Sequence, residues 1–232
     1  MAFTTSDMTL ALIAACPTFR CDPRYYAADA VANEAKVRAG AFFELGDFLP
    51  NPIIKGIQPT YLDAPADDSV PVVNTLSIQR LAINVEACRH MAREDFDEVD
   101  QQRKLKADDV LLTMDGGVSI GKPVLFNEKG DYTSDSHVII IRPVGMQPRS
   151  LVYLLASPLG QQQFRRAESG ASGQTAVTEE DIRRFIFPTS LLSKLDNVVA
   201  EIEKERTKIA AEREALSKRE FQAWAKLEKL VA

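Results

Sequence analysis

One stretch of the sequence has the residue types and spacing to hold a phosphate: Gly116-Gly-Val-Ser-Ile-Gly121-Lys122. A phosphate-cradling loop needs glycine, four residues, then Gly-Lys followed by Ser or Thr. Bare amides and the lysine then surround the anion, and the hydroxyl reaches its magnesium. Here Pro123 takes the hydroxyl's place, removes a backbone donor and resists the helix that must follow. The next residues, Pro-Val-Leu-Phe-Asn, are β-like, so the spacing predicts a glycine-rich turn between two strands.

Other constellations fail on similar grounds. Ser136 and His137 are neighbours, and neighbours on a strand point to opposite faces. Glu34-Ala-Lys36 has the ending of a nuclease pattern but lies in a predicted helix instead of a strand. No glycine-rich S-adenosylmethionine fingerprint occurs, and Asn51-Pro52 begins the Asn-Pro-Pro-aromatic motif of amino methyltransferases without completing it. The carboxylates of 94–100 lie in a polar segment with no apolar neighbours to raise a pKa. Cys16, Cys21 and Cys88 are odd in number and lack Cys-x-x-Cys spacing, which indicates neither a disulfide framework nor a zinc site. The sequence therefore predicts no catalytic residue, no metal and no cofactor of its own.

What these residues need is an architecture. At 232 residues, 45% hydrophobic and 26% charged, the chain reads as one globular domain plus an appendage. No apolar run reaches membrane-spanning length and Met-Thr-Leu-Ala-Leu-Ile-Ala-Ala-Cys near the start has no basic flank, so a cytoplasmic protein is expected. The net charge of −5 argues against a broadly basic nucleic-acid binder, but the acidity is local. Residues 61–100 hold nine Asp and Glu against three Arg, whereas 142–187 hold six Arg against four Asp and Glu.

The punctuation predicts an N-terminal helix over 23–39, with Asp22 as N-cap and Pro23 at its first position. Strands are expected at 53–57, 70–75, 109–113, 123–126 and 137–142, with an exposed acidic helix over 93–105. A helix over 149–167 should break at Pro158 and Gly160. Thr178 with Asp181 forms a capping box, and a strand ending at Pro188 follows. From Leu191 to Val231 there is no Gly or Pro, which predicts one long helix. Leu195, Ile202, Ile209 and Leu216 recur every seven residues, with Leu230 two heptads on. The companion positions hold Val199, Arg206, Arg213, Glu220 and Leu227, a half-polar seam that needs a partner helix. The fold class is α+β: a mixed α/β domain over 1–189 and a single long coiled-coil helix over 190–232.

Several phrases share the order of a known family. Arg20-x-Asp22-x-x-Tyr25-Tyr26 resembles the opening of specificity (S) subunits of type I restriction-modification systems. The segments at 53–61 and 70–78 look like the first strands of their target recognition domain. Residues 104–126 are similar to its glycine-containing hairpin, and 150–188 to the segment closing the domain before a spacer helix. The resemblance covers nearly all of 20–231. Family subunits usually carry two recognition domains and two spacer helices; this chain has one of each.

The resemblance implies a half-length, non-catalytic DNA-recognition subunit that restores two-fold symmetry as a homodimer and reads a bipartite target. Implied partners are double-stranded DNA, DNA adenine methyltransferase subunits and, where the system cleaves, a restriction subunit; S-adenosylmethionine would sit in the methyltransferase. Candidate DNA contacts are Lys55, Gln58, Asn74, Thr75, Gln79, Lys122, Ser134, His137, Ser172 and Gln174. Each also has a structural reading: Asn74 and Thr75 as turn formers, His137 as a core or edge residue, Lys122 as hairpin solvation. The helix interface would use Leu195, Val199, Ile202, Ile209, Leu216, Trp224, Leu227 and Leu230. The competing reading is an assembly or DNA-mimic protein that uses the coiled coil and the acidic 61–100 region.

Overall fold

A computed structural model describes residues 10–16, 20–49, 52–116, 119–170 and 175–231, with side chains at 11, 12, 15 and 226–231 excepted. The chain divides into two compact units, Met1–Leu191 and Leu192–Ala232.

The first unit opens with α1 (Leu10–Ala15), α2 (Ala28–Arg38) and β1 (Phe42–Glu44). Next come β2 (Ile54–Lys55), β3 (Val70–Val73), β4 (Ile78–Gln79), β5 (Ala82–Ile83), β6 (Arg89–Met91) and α3 (Arg93–Asp97). β7 (Val110–Thr113), β8 (Pro123–Leu125), β9 (Thr133–Ser134) and β10 (Val138–Ile141) follow. The unit closes with α4 (Pro148–Ala156), α5 (Pro158–Ala167), α6 (Glu179–Arg183) and β11 (Ile186–Pro188).

Among the described residues, one sheet has the order β2-β10-β7-β8 and a second the order β6-β3-β9. β1 pairs with β11, and β4 with β5 as a hairpin. β7 and β10 are central and every residue in them is buried, which is why Val-Leu-Leu-Thr and Val-Ile-Ile-Ile read as unbroken β-branched and apolar runs. Leu111, Val124, Val138 and Ile140 lie in one core cluster with Phe126, Tyr132 and Ile78. Each such side chain contributes roughly 1.5–3 kcal/mol of apolar burial.

Two ionic arrangements brace this unit, the first at a buried carboxylate and the second half-buried. Asp109, 2% exposed, receives two bonds from Arg142, Nε to Oδ1 at 2.6 Å and Nη2 to Oδ2 at 2.9 Å. The second is a clamp built on the Arg20-Asp22-Tyr25-Tyr26 phrase. Arg20 donates to Asp22 and, from Nη2, to the Glu168 carbonyl at 2.7 Å, just past the C-terminus of α5, where a cation also offsets the helix dipole. The Tyr26 hydroxyl donates to the Arg20 carbonyl at 2.8 Å. Arg166 of α5 donates to the Tyr25 carbonyl at 2.7 Å, stacks over the Tyr25 ring at 4.3 Å and bonds the Glu34 carboxylate of α2.

The expected helix over 23–39 begins only at Ala28. Asp22 Oδ1 does accept from Tyr25 N at 3.1 Å, as a cap would, but residues 23–26 form a turn because the Tyr26 hydroxyl is drawn back to Arg20. The expected helix over 93–105 stops at Asp97. Asp100 starts a turn of its own, accepting from Gln102 N at 2.7 Å, and Phe96 is buried instead of lying on a solvated helix. The break at Pro158 is observed between α4 and α5, where a Cβ on Gly160 would lie 2.5 Å from the Leu154 and Leu155 carbonyls. The Thr178-Asp181 capping box is formed at α6.

The second unit is α7 (Leu195–Val231), a single helix of 37 residues. At about 1.5 Å per residue it is about 55 Å long. Among the described residues no helix is long and apolar enough to cross a membrane.

Candidate nucleic-acid interface

The glycine-rich segment joins antiparallel β7 and β8, and three of its described amides are already used. Gly121 N donates to Thr113 O at 3.0 Å, Lys122 N to Thr113 Oγ1 at 3.0 Å and Ser119 N to Gly116 O at 3.3 Å. Gly121 has φ +75, and a Cβ there would lie 2.7 Å from the Phe164 ring. The glycine is thus required by packing on α5, and the amides of Ser119, Gly121 and Lys122 are engaged by the chain's own oxygens instead of being free for a phosphate.

Strand register gathers the candidate residues at one end of the sheets. β10 runs antiparallel to β2 and β7, with Ile139 opposite Lys55 and Val138 opposite Thr113. The start of β10, the end of β2 and the β7–β8 turn therefore share an end. β3 and β9 are parallel with Val73 beside Ser134, which brings Asn74 and Thr75 to that same end. The 169–177 loop joins it through Ala176, which bridges both Ser169 and Asp115. Ser172 and Gln174 lie in that loop, outside the described residues.

Individual side chains there differ in what they offer. Lys55, Gln58, Gln79 and His137 are exposed, and Thr75 and Lys122 are half-buried. His137 is not a core residue: its ring pairs with Asp115 at 2.6 Å and remains 57% exposed. Asn74 and Ser134 are different, at 5% and 0% exposed. They offer almost no surface to a partner and instead build the end. Asn74 Oδ1 accepts from Leu76 N at 2.9 Å and Ser77 N at 3.0 Å, while Asn74 Nδ2 and Ser134 Oγ are buried with no hydrogen-bond partner among the described residues.

Asp135 anchors the arrangement. It accepts from His137 N at 3.0 Å and from the Tyr61 hydroxyl at 3.3 Å. Burial raises its pKa above the usual carboxyl value, outweighing the His137 amide that favours the anion. Burial and the same carboxylate push the Tyr61 hydroxyl up to about 12, so it remains a donor at neutral pH. A Cβ on Gly56 would meet the Asp135 carbonyl at 2.0 Å and the Ser134 carbonyl at 2.4 Å, so only glycine allows β2 to approach this closely.

Sequence reasoning missed several residues here. Arg89, opposite Val72 near the end of β3, stacks over Tyr61 at 3.5 Å. Arg80 is exposed at the tip of the β4–β5 hairpin, and Leu76, in the turn before that hairpin, is 78% exposed. Lys55, Arg80 and Lys122 join no ion pair among the described residues. The strand-to-loop polarity of "Asn-Thr-Leu-Ser-Ile-Gln-Arg" could have pointed to Arg80 and Leu76.

The acidic segments are displaced from this end. Asp68 precedes Val70 at the start of β3, Met91 pairs with Val70, and Arg93 of α3 bonds Asp68 and Asp131 there. Asp63, Asp67, Glu94, Asp95, Asp97, Glu98 and Asp100 are all exposed. Along β3 the chain therefore passes from an acidic end to one bearing lysines, arginines and amides. Among the described residues no group of His, Cys, Asp and Glu could hold a metal ion.

On α7, Ile202, Ile209, Leu216 and Trp224 are 41%, 41%, 59% and 63% exposed. Leu195 is half-buried, Val199 is buried within the single chain, and Leu227 and Leu230 lie on the helix beyond the described side chains.

Three solved structures share the fold at low identity. A type I R-M system, described for its complex assembly and conformational transition, matches with a TM-score of 0.52 and 17% identity, covering 87% of this chain and 49% of that one. The S subunit of a type I restriction-modification system from M. genitalium matches with a TM-score of 0.50 and 12% identity over 74% of this chain and 40% of that one. The type IIG restriction endonuclease BpuSI matches with a TM-score of 0.51 and 11% identity over 77% and 28%. The chain spans less than half the length of each. No family model and no curated protein sequence matches it. The fold is that of a type I specificity subunit at partial length: a mixed α/β domain followed by a long helix.

Proposed function

We propose that the chain is the sequence-reading subunit of a type I-like DNA adenine methyltransferase complex and performs no catalysis itself. The observation that carries this reading is the convergence of Lys55, Gln58, Thr75, Lys122 and His137 at one end of the sheets, with Asp68 and the acidic start of α3 beside the far end of β3. Cations without ion-pair partners would position the domain on phosphates, and the amide and hydroxyl side chains would read base edges in the major groove. The partner subunits would bind S-adenosylmethionine and transfer the methyl group.

The exposed seven-residue stripe of α7 supports association with a second helix. Two copies joined through α7 would present two domains a fixed distance apart, so the target would be a palindrome interrupted by unread bases. The test is to co-express the chain with an adenine methyltransferase subunit and map modified adenines genome-wide. One interrupted palindrome, lost when the chain is omitted, is the expected result. A stable complex that marks no motif would overturn it and move the function to the exposed acidic end, as a docking face for a basic partner.

A further inference from the structure

The loop that follows β3 is built inside out. Asn74 and Ser77, the side chains that make its turn, are 5% and 0% exposed and bond one another's backbone. Asn74 N donates to Ser77 Oγ at 2.9 Å, and Ser77 Oγ donates to Asn74 O at 2.9 Å. Leu76 N and Ser77 N both donate to Asn74 Oδ1. The polar atoms of the turn face inward, and what projects is Leu76, 78% exposed. Among the described large apolar side chains of the first unit only Leu10 is more exposed.

The next turn has its own unusual feature. Gln79 and Ala82 pair across the β4–β5 hairpin, leaving Arg80 and Leu81 as its tip, and Leu81 has φ 59. A leucine in the left-handed region is strained, and such strain persists where surrounding structure enforces it. Ile78, 1% exposed, anchors the hairpin in the core beneath. The two turns thus present one apolar group three residues before an exposed glutamine and four before an exposed arginine. The first of them lies at the end where the parallel β3–β9 pairing sets Val73 beside Ser134.

We infer that Leu76 is a specificity-determining residue that packs on the C5-methyl group of a thymine in the major groove, flanked by Gln79 and Arg80. This rests on the DNA-reading function proposed above. A thymine methyl is the one apolar feature on a base edge in that groove, and a pre-ordered leucine meets it without losing loop entropy on binding. Arg80 lies one residue beyond Gln79, placed for a phosphate or a guanine edge.

The experiment uses the full chain in complex with its methyltransferase subunits. The wild-type motif is mapped first; then Leu76→Ala is mapped, and each thymine of the motif is replaced in turn by deoxyuridine in duplex binding assays. One thymine per half-site should be sensitive: deoxyuridine there weakens wild-type binding about four-fold, the value of one buried methyl. Leu76→Ala should be insensitive to that replacement and should relax the methylated motif at that position. Thermal unfolding of the variant should be unchanged, since Leu76 is solvent-exposed.

A wild-type motif that stays identical in the variant, or contains no position at which both changes act together, overturns the inference and leaves the DNA-reading function standing. Loss of complex assembly by Leu76→Ala also overturns it, because Leu76 would then pack on a protein subunit. If the wild-type complex defines no motif, the DNA-reading function has failed and takes this inference with it.

Discussion

The Arg166 clamp and the Asp135 end are both polar and largely buried, yet they are assembled on opposite terms. In the clamp, charges meet opposite charges. Glu34 loses water on burial, but hydrogen bonds from Arg166 and Arg38 outweigh that and hold its carboxyl below the usual range. At the Asp135 end no cation pairs with the carboxylate among the described residues. Its partners are an amide and a phenol, burial dominates, and its pKa is raised. Ser134 Oγ, orphaned among the described residues, precedes it in sequence, and Asn74 Nδ2, likewise orphaned, follows Val73, whose carbonyl accepts from Asp135 N. The clamp stabilises the fold; the Asp135 end gives up stability to hold loops in place, as functional sites commonly do.

Breaking the frame of the Asp135 end should have the largest effect. Gly56→Ala forces a methyl onto two backbone carbonyls that cannot move separately, and a loss of at least about 3 kcal/mol is expected in urea unfolding. A variant as stable as the parent would show that β2 is not held against Asp135. Arg166→Ala should cost about 3 kcal/mol, since it removes two hydrogen bonds and a stacked ring and leaves Glu34 to Arg38 alone. It should also open residues 20–27 to proteolysis, which separates loss of the clamp from general destabilisation.

The two carboxyls sharpen the comparison because their pH dependences have opposite signs. Glu34 is lowered from 4.5, so its contribution is present above that pH and is lost as pH falls through the depressed value. Glu34→Gln should remove that acid-side loss. Asp135 is raised from 3.8, so the native state binds its proton more tightly than the unfolded chain does. Its contribution declines as pH climbs from 3.8 upward. Asp135→Asn should abolish this decline and be at least as stable at neutral pH, while weakening DNA recognition by loosening the His137 segment. Stability curves of the two variants with parallel shapes would refute the contrast.

The smallest effect on folding is expected at the surface. Lys55→Ala and Arg80→Ala should leave the melting temperature unchanged. Each should weaken DNA binding across sequences and lower the salt slope of log K by about one, the signature of one lost phosphate contact.

The long apolar strands were legible because β7 and β10 are buried on both faces and their sequences carry no competing signal. The short strands β1, β4, β6 and β9 were not, since two or three residues become a strand only when a distant segment supplies the hydrogen bonds. The early helix was misplaced by the Tyr26 hydroxyl, a tertiary contact that no local pattern reports. At the candidate interface, turn residues marked where the chain leaves its strands. Residue type could not distinguish Asn74 and Ser134, which are buried, from Gln79, which is exposed. Leu76 was not singled out, because an apolar residue in a turn carries no local signal of exposure.

The close approach of Gly56 to the Ser134 and Asp135 carbonyls is a contact made by backbone alone, with no exposed side chain taking part. Thr75, Leu76, Gln79 and Arg80 are therefore free to mutate without disturbing what holds them. Under the DNA-reading function proposed above, single codon changes on such a surface would replace one base preference by another while the fold is kept. That separation would be a capacity for divergence written into the main chain.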